Sequence, residues 1–283
     1  MSYFRALLVM AIGAIAASLA SCSHAPSPAA RLQNAWALAQ TGTMAAESIN
    51  SQPLPLMAFT PPTHEAHTLV VYIEGDGLAW RTRHLVSDDP TPVNPVALKL
   101  AITDPRPNKA YLARPCQYLQ PGGCEPGLWT EARFSDAVVQ STLSAIDILK
   151  AKFGAQRIEL VGYSGGGAVA ALVAARRDDV TRLVTVAGNL DHRHWTDRHR
   201  VTPLAQSLNP ADAWPQLAGV PQAHLVGEKD RIIDASDLRA YADRFPGGQK
   251  PAIHVISGFD HRCCWEQHWA DILTALDASS DTH

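Results

Sequence analysis

Short runs of apolar residues alternate with longer amphipathic segments along most of this chain. Six runs rich in β-branched and aliphatic residues predict strands, at residues 67–73, 110–113, 158–161, 183–187, 223–227 and 252–256. Apolar positions three and four residues apart predict helices, most clearly at 134–152 and in the segment that contains Trp265 and Trp269. Strands that alternate with helices favour a mostly parallel sheet with right-handed crossovers.

Weaker signals extend this pattern towards the N-terminus. Residues 44–49 and 54–59 predict two strands that enter the sheet as an antiparallel pair, and residues 32–46 could begin a helix that is interrupted at 41–43. Two further helices are expected at 95–100 and 168–176. With 46% hydrophobic residues among 283, the chain can bury one large α/β core.

A glycine-rich turn joins the predicted strand at 158–161 to the helix at 168–176. Its sequence is Gly162-Tyr163-Ser164-Gly165-Gly166, in which a serine occupies a sharp bend and its neighbours leave no room for a side chain. Such a bend exposes the serine hydroxyl to a base and directs the N–H of Gly165 towards a developing oxyanion. The sequence therefore predicts Ser164 as a nucleophile, and the alternative is a turn without chemistry.

A serine nucleophile needs a histidine base and a carboxylate that orients the histidine. Asp230 follows the predicted strand at 223–227, and His261 follows the last strand at 252–256. Both come after the serine, in the order acid then histidine, and all three lie in loops at the carboxyl ends of strands. Asp191, after the strand at 183–187, is the alternative acid.

The strand at 67–73 leads into the loop Glu74-Gly75-Asp76-Gly77, where a backbone N–H of Gly75 or Asp76 could supply a second oxyanion donor. One alternative is a tight turn capped by its own acidic side chain. Another is a hydrolase that uses paired carboxylates, but no second pair accompanies Glu74 and Asp76.

Taken as a set, these motifs resemble the α/β-hydrolase superfamily of esterases, lipases and peptidases over residues 66–277. The resemblance implies a mostly parallel sheet flanked by helices, with a short cap-like insertion at 188–222 after the sixth strand. The loop at 74–77 lacks the histidine-led glycine run of many lipases and esterases, so a substrate class does not transfer from them.

The insertion at 188–222 is rich in histidine, aspartate and tryptophan. A metal site is the alternative to a cap, because His192, His194, Asp191 and His199 are of ligand types. No open three-ligand spacing such as His-Glu-x-x-His is present, so the sequence predicts no metal and no cofactor.

The N-terminus has the features of an export signal. Arg5 precedes an uncharged apolar stretch at 6–20, and Leu19-Ala20-Ser21-Cys22 resembles the lipobox of bacterial lipoproteins. This resemblance implies a signal peptide at 1–21, acylation of Cys22, a tether at 22–30 and a single domain at 31–283. Ser23 after the cysteine favours the outer membrane, facing the periplasm. An ordinary signal peptide is the alternative.

The cysteines indicate which disulfides to expect, and the net charge bears on nucleic-acid binding. Cys116 and Cys124 flank a reversing loop, and in an exported protein such a pair is expected to form a disulfide. The pairing of the adjacent Cys263 and Cys264 stays open. A formal net charge of −3 gives no basic footprint for nucleic acid.

The sequence thus predicts a serine hydrolase of the cell envelope that acts by acyl transfer on a small-molecule ester or thioester. Its membrane contact would be the lipid anchor, and its oligomeric state stays open. A serine peptidase is one alternative, and a catalytically inactive envelope binding protein with the same fold is another.

Overall fold

The computed structural model describes residues 25–62 and 66–280. The predicted signal peptide and Cys22 lie outside these residues. The elements follow one another in this order: α1 (Pro28–Thr41), β1 (Ala45–Ile49), β2 (Leu56–Thr60), β3 (Thr68–Ile73), β4 (Trp80–Thr82), β5 (Leu85–Val86), α2 (Val96–Thr103), β6 (Lys109–Leu112), a 3₁₀ helix (Pro126–Trp129), α3 (Asp136–Lys152), β7 (Arg157–Tyr163), α4 (Gly165–Ala174), β8 (Val180–Val186), α5 (His192–His199), a second 3₁₀ helix (Pro210–Ala213), α6 (Trp214–Leu217), β9 (Gln222–Gly227), α7 (Ala235–Ala242), β10 (Ala252–Ile256) and α8 (Trp265–Ser280).

Eight strands form one sheet in the order β1-β2-β6-β3-β7-β8-β9-β10. The pairs β1–β2 and β2–β6 are antiparallel, and every other neighbouring pair is parallel. The two N-terminal strands therefore form an antiparallel edge on a parallel sheet, as the sequence predicts. All parallel strands end at the same edge, so the loops that follow β3, β7, β9 and β10 share one side of the molecule.

Helices cover the sheet and supply most of the remaining core. α2 packs against α8, and α3 packs against α4, which lies directly on β7 and β8. Trp265 and Trp269 of α8 are fully buried, and the indole N–H of Trp269 donates to the hydroxyl of Tyr72 on β3 at 2.8 Å. Burying such large aromatic side chains contributes strongly to stability because of the apolar area removed from water. In the described residues, no helix is both long and apolar enough to cross a lipid bilayer.

The N-terminal helix begins earlier than the sequence indicates. α1 starts at Pro28, because proline suits the first turn and the Ser27 hydroxyl accepts from the N–H of Ala30 at 3.2 Å. Residues 28–30, assigned above to the tether, are therefore helical. Arg31 in the first turn is buried and lies 3.5 Å from Asp89, which ties α1 to the body of the protein.

The sequence patterns predict neither the β4–β5 hairpin nor α7, and they predict none of the short helices at 126–129, 192–199, 210–213 and 214–217. The insertion at 188–222 contains α5, the second 3₁₀ helix and α6. It follows β8, which is the eighth strand along the chain and the sixth of the large sheet.

Candidate active site

The bend after β7 holds Ser164 in a left-handed backbone conformation, with φ of 52° and ψ of −121°. Non-glycine residues rarely adopt such angles, and the strain is maintained by close packing around the bend. A side-chain carbon added at Gly162 would lie 2.5 Å from the carbonyl oxygen of Gly166. The Ser164 N–H donates to the carbonyl of Val186 at 2.9 Å, which fixes the bend against β8. The serine is thus presented at the start of α4.

Three side chains from separate loops form a hydrogen-bonded chain at this edge. His261 Nε2 lies 3.1 Å from Ser164 Oγ, and His261 Nδ1 lies 2.8 Å from Asp230 Oδ2. The other oxygen of Asp230 accepts from the N–H groups of Ile232 and Ile233. Because a carboxylate can only accept, it favours the tautomer with the proton on Nδ1 and leaves Nε2 free to take the serine proton.

The loop that carries His261 is held from several sides. The Tyr163 hydroxyl donates to the carbonyl of His261 at 3.0 Å, and the two rings lie 5.4 Å apart. The indole N–H of Trp265 donates to the carbonyl of Asp260 at 3.0 Å. A disulfide joins Cys263 to Cys264 in the same loop. The sequence left the pairing of these two cysteines open. These contacts position the imidazole before any substrate arrives.

The remaining two cysteines are also bonded. Cys116 and Cys124 form the disulfide expected from the sequence, with their α-carbons 5.7 Å apart. The bridge closes the loop between β6 and the first 3₁₀ helix, and Cys116 is almost fully buried. Closing so short a loop restricts the unfolded chain, which is a structural role.

The backbone donors near Ser164 are not equivalent. The N–H of Gly75 donates to the Glu74 carboxylate at 2.8 Å, so it is engaged and is a poor oxyanion donor. Among the described residues, the N–H groups of Asp76 and Gly165 have no acceptor. The pair left from the three sequence candidates is therefore Asp76 and Gly165. Burial raises the pKa of Glu74 to about 7.

The side chain of Asp76 lies against the bend that carries Ser164. A side-chain carbon added at Gly165 would lie 2.0 Å from Asp76 Oδ1, so a larger residue there would displace the Asp76 carboxylate. The carboxylate forms ion pairs with Arg133 at 2.8 Å and with Arg114 at 3.3 Å. Sequence reasoning missed both arginines, because they are 38 and 57 residues from Asp76 and belong to no local motif.

Several polar residues of the insertion hold its own segments together through caps and hydrogen bonds. Asp191 caps α5 by accepting from the N–H of His194, and it also accepts from Asn209 at 2.9 Å. His192 is buried, and the backbone of Ser207 lies near its ring. Burial lowers the pKa of His192, which favours the neutral ring. No cluster of three or more His, Cys, Asp or Glu in the described part of the chain is arranged to hold a metal ion.

Solved structures share this architecture at low sequence identity. An α/β serine hydrolase without a lid from Xanthomonas campestris superposes with a TM-score of 0.54 at 14% identity, covering 83% of this chain and 92% of that one. Est1E from Butyrivibrio proteoclasticus gives 0.57 at 14% identity, with coverage of 84% and 99%. An esterase from Pyrococcus furiosus gives 0.58 at 13% identity, with coverage of 81% and 90%.

No protein-family model and no curated protein sequence matches the chain. The structural likeness extends over more than four fifths of the chain in each of the three cases, and the chain itself has a mostly parallel eight-stranded sheet flanked by helices. The chain therefore has the α/β-hydrolase fold.

Proposed function

We propose that this protein is a serine hydrolase that acts by acyl transfer through Ser164, His261 and Asp230. The observation that carries the proposal is the hydrogen-bonded chain from Asp230 to His261 to Ser164, with distances of 2.8 and 3.1 Å. The 3.1 Å contact is within the range that proton transfer from a nucleophile to a base requires, and the 2.8 Å contact is a hydrogen bond that orients the base.

In this mechanism Ser164 Oγ attacks the carbonyl carbon while its proton passes to His261 Nε2. The bond to the leaving alcohol or thiol then breaks, and the imidazolium returns the proton to that group, leaving an acyl-enzyme. Water repeats the two steps and releases the acid. Asp230 stays ionised and stabilises the imidazolium throughout.

The N–H groups of Asp76 and Gly165 are proposed to bind the oxyanion of each tetrahedral intermediate. Gly165 is the first residue of α4, so the partial positive charge of the helix N-terminus adds to its donor. The two arginines that pair with the Asp76 side chain fix the loop, and the backbone rather than the carboxylate contributes to binding.

Carboxylic esters or thioesters are the substrate class we propose, in line with the esterase named among the structural neighbours. The lipobox-like sequence at Cys22 supports an anchored protein in the cell envelope, after removal of residues 1–21 as a signal peptide. The single domain would then act close to the membrane that holds its anchor.

The test is the variant Ser164→Ala, compared with Ser48→Ala, an exposed serine on the edge strand β1. We expect Ser164→Ala to keep its fold, to lose turnover of p-nitrophenyl esters by up to about 10⁶-fold, and to lose labelling by a fluorophosphonate probe. Ser48→Ala should behave as wild type. Equal turnover or equal labelling in the two variants refutes the proposal, and a wild type without either reaction favours a binding protein.

A further inference from the structure

A cleft of about 540 Å³ opens among loops at the carboxyl edge of the sheet. Three segments form its walls: the β4–β5 hairpin, the residues that follow the first 3₁₀ helix, and the insertion after β8. The side chains that matter for its chemistry are Trp80, Arg83, Arg133, Trp195 and Arg200. A volume of this size is typical of pockets that bind small molecules.

Two sets of contacts connect the cleft with the proposed catalytic groups. On one side Arg133 pairs with Asp76, whose carboxylate lies against Gly165 next to the nucleophile. On the other side the indole N–H of Trp195 donates to the carbonyl of Ile232 at 2.8 Å, within the loop that carries Asp230. Residues of the cleft wall therefore contact both the proposed oxyanion loop and the loop of the proposed acid, although neither loop lines the cleft itself.

The charge of the cleft is strongly positive. Arg133 shares the single carboxylate of Asp76 with Arg114, so one acid faces two guanidinium groups. Among the described residues, neither Arg83 nor Arg200 forms an ion pair with a carboxylate. The one acidic residue that lines the cleft is Glu131, which accepts from the amide of Gln206 at 2.9 Å.

We propose that this cleft selects esters or thioesters that carry a negatively charged group on the part of the substrate remote from the reacting carbonyl. Arg83 and Arg200 bind the anion, because guanidinium matches carboxylate and phosphate geometry. Trp80 and Trp195 pack against the carbon chain between the two ends. The inference deepens the proposed function and rests on it, because it concerns the substrate class of the same site.

The discriminating probes are mono-p-nitrophenyl suberate and its methyl ester, whose far ends differ in charge and in one methyl group. Both release p-nitrophenolate, so one assay gives kcat/KM for each. Ion pairs at exposed arginines each favour the charged substrate by up to about fivefold, and we expect the two together to give about a tenfold preference at low salt. About 0.5 M NaCl should reduce that preference by screening.

The variant Arg83→Gln/Arg200→Gln should bring the ratio of the two kcat/KM values close to one. Arg157→Gln/Lys250→Gln is the matched control, because it also removes two positive charges, from exposed residues at the opposite edge of the sheet, at the start of β7 and just before β10. The ratio is measured on one protein sample, so partial loss of folded enzyme does not change it. A ratio near one in wild type, or a ratio unaffected in the double variant, overturns the proposal.

Fluorophosphonate labelling of Ser164 in the same samples distinguishes failure of the substrate preference from failure of the proposed serine hydrolase activity. Labelling together with a ratio near one overturns the anion preference and leaves the serine hydrolase in place. Absence of both labelling and turnover overturns the proposed function, and the substrate preference with it.

Discussion

Glu74, the first residue of the proposed oxyanion loop, is a buried acid whose pKa can be tested directly. It follows β3 directly, its own N–H donates to the carbonyl of Leu112 at 3.1 Å, and the whole residue is 1% exposed. One carboxylate oxygen accepts from the N–H of Gly75 at 2.8 Å, and backbone N–H groups in the first turn of α2 also lie near the carboxylate and act to lower its pKa. Burial disfavours the charged form and raises the pKa of Glu74 from 4.5 to about 7.

The raised pKa makes the stability of the protein depend on pH. Between pH 4.5 and 7 the folded chain holds a proton on Glu74 that the unfolded chain has released. The free energy of unfolding therefore falls as pH rises through this window. At about 1.4 kcal/mol for each pKa unit, the contribution lost by pH 8 amounts to about 3 kcal/mol.

Glu74→Gln isolates this contribution. Glutamine has the same shape, keeps an oxygen that can accept from Gly75, and does not titrate. Urea unfolding of wild type and variant at pH 4.5 and pH 8 gives four free energies, and the groups that titrate in both proteins cancel in their difference. We expect the variant to gain about 3 kcal/mol relative to wild type between the two values of pH.

Glu125→Gln is the control, because Glu125 is an exposed carboxylate in the loop before the first 3₁₀ helix. It should follow the pH profile of wild type. If Glu74→Gln also follows that profile, Glu74 is not a buried protonated acid, and the argument that burial raises its pKa is wrong. A relative loss of stability at pH 8 would contradict the sign of the argument.

Two further predictions concern the cysteines. Cys22→Ser should move the protein from the membrane fraction to the soluble fraction, because each buried methylene of an acyl chain contributes about 0.8 kcal/mol of membrane binding; an intact mass of wild type without acyl groups rejects the anchor. Cys116→Ser combined with Cys124→Ser should lower the free energy of unfolding by about 2.5 kcal/mol, since the bridge closes a short loop. Unchanged unfolding by urea under oxidising conditions would show that the bridge does not stabilise the fold.

The large sheet could be predicted from the sequence because its central strands are buried on both faces. Five of the six residues of β3 are buried, so its sequence has to be almost continuously apolar. The bounds of β10 agree with the expected 252–256. The bend at Ser164 was also predictable, since close packing of backbone against backbone restricts Gly162 to a single residue type.

Other features could not be predicted, because they depend on contacts between distant segments or on strands with little burial. All three residues of β4 are exposed, so no alternation of polar and apolar positions marks that strand. The ion pairs of Asp76 with Arg114 and Arg133 join loops that only the folded sheet brings together. The competition between Glu74 and the oxyanion site for the Gly75 N–H is visible only in the geometry.

The choice between Asp230 and Asp191 as the acid rests on what each carboxylate contacts. Asp230 is 2.8 Å from His261, whereas Asp191 accepts from Asn209 and from the N–H of His194 and lies 3.4 Å from Arg244. Burial raises the pKa of Asp191, but these partners outweigh it and hold the pKa below its ordinary value. Its charge is thus satisfied within the insertion.

Asp230→Asn should therefore keep the fold and lower kcat by about 10⁴, because an amide donates to Nδ1 and selects the wrong tautomer of the histidine. Asp191→Asn weakens the ion pair with Arg244 and the cap of α5, so we expect a lower Tm and a kcat close to that of wild type. Both variants are measured for kcat on a p-nitrophenyl ester and for Tm. A large loss of kcat in Asp191→Asn with normal turnover in Asp230→Asn would reverse the assignment of the acid and leave the nucleophile and the base unaffected.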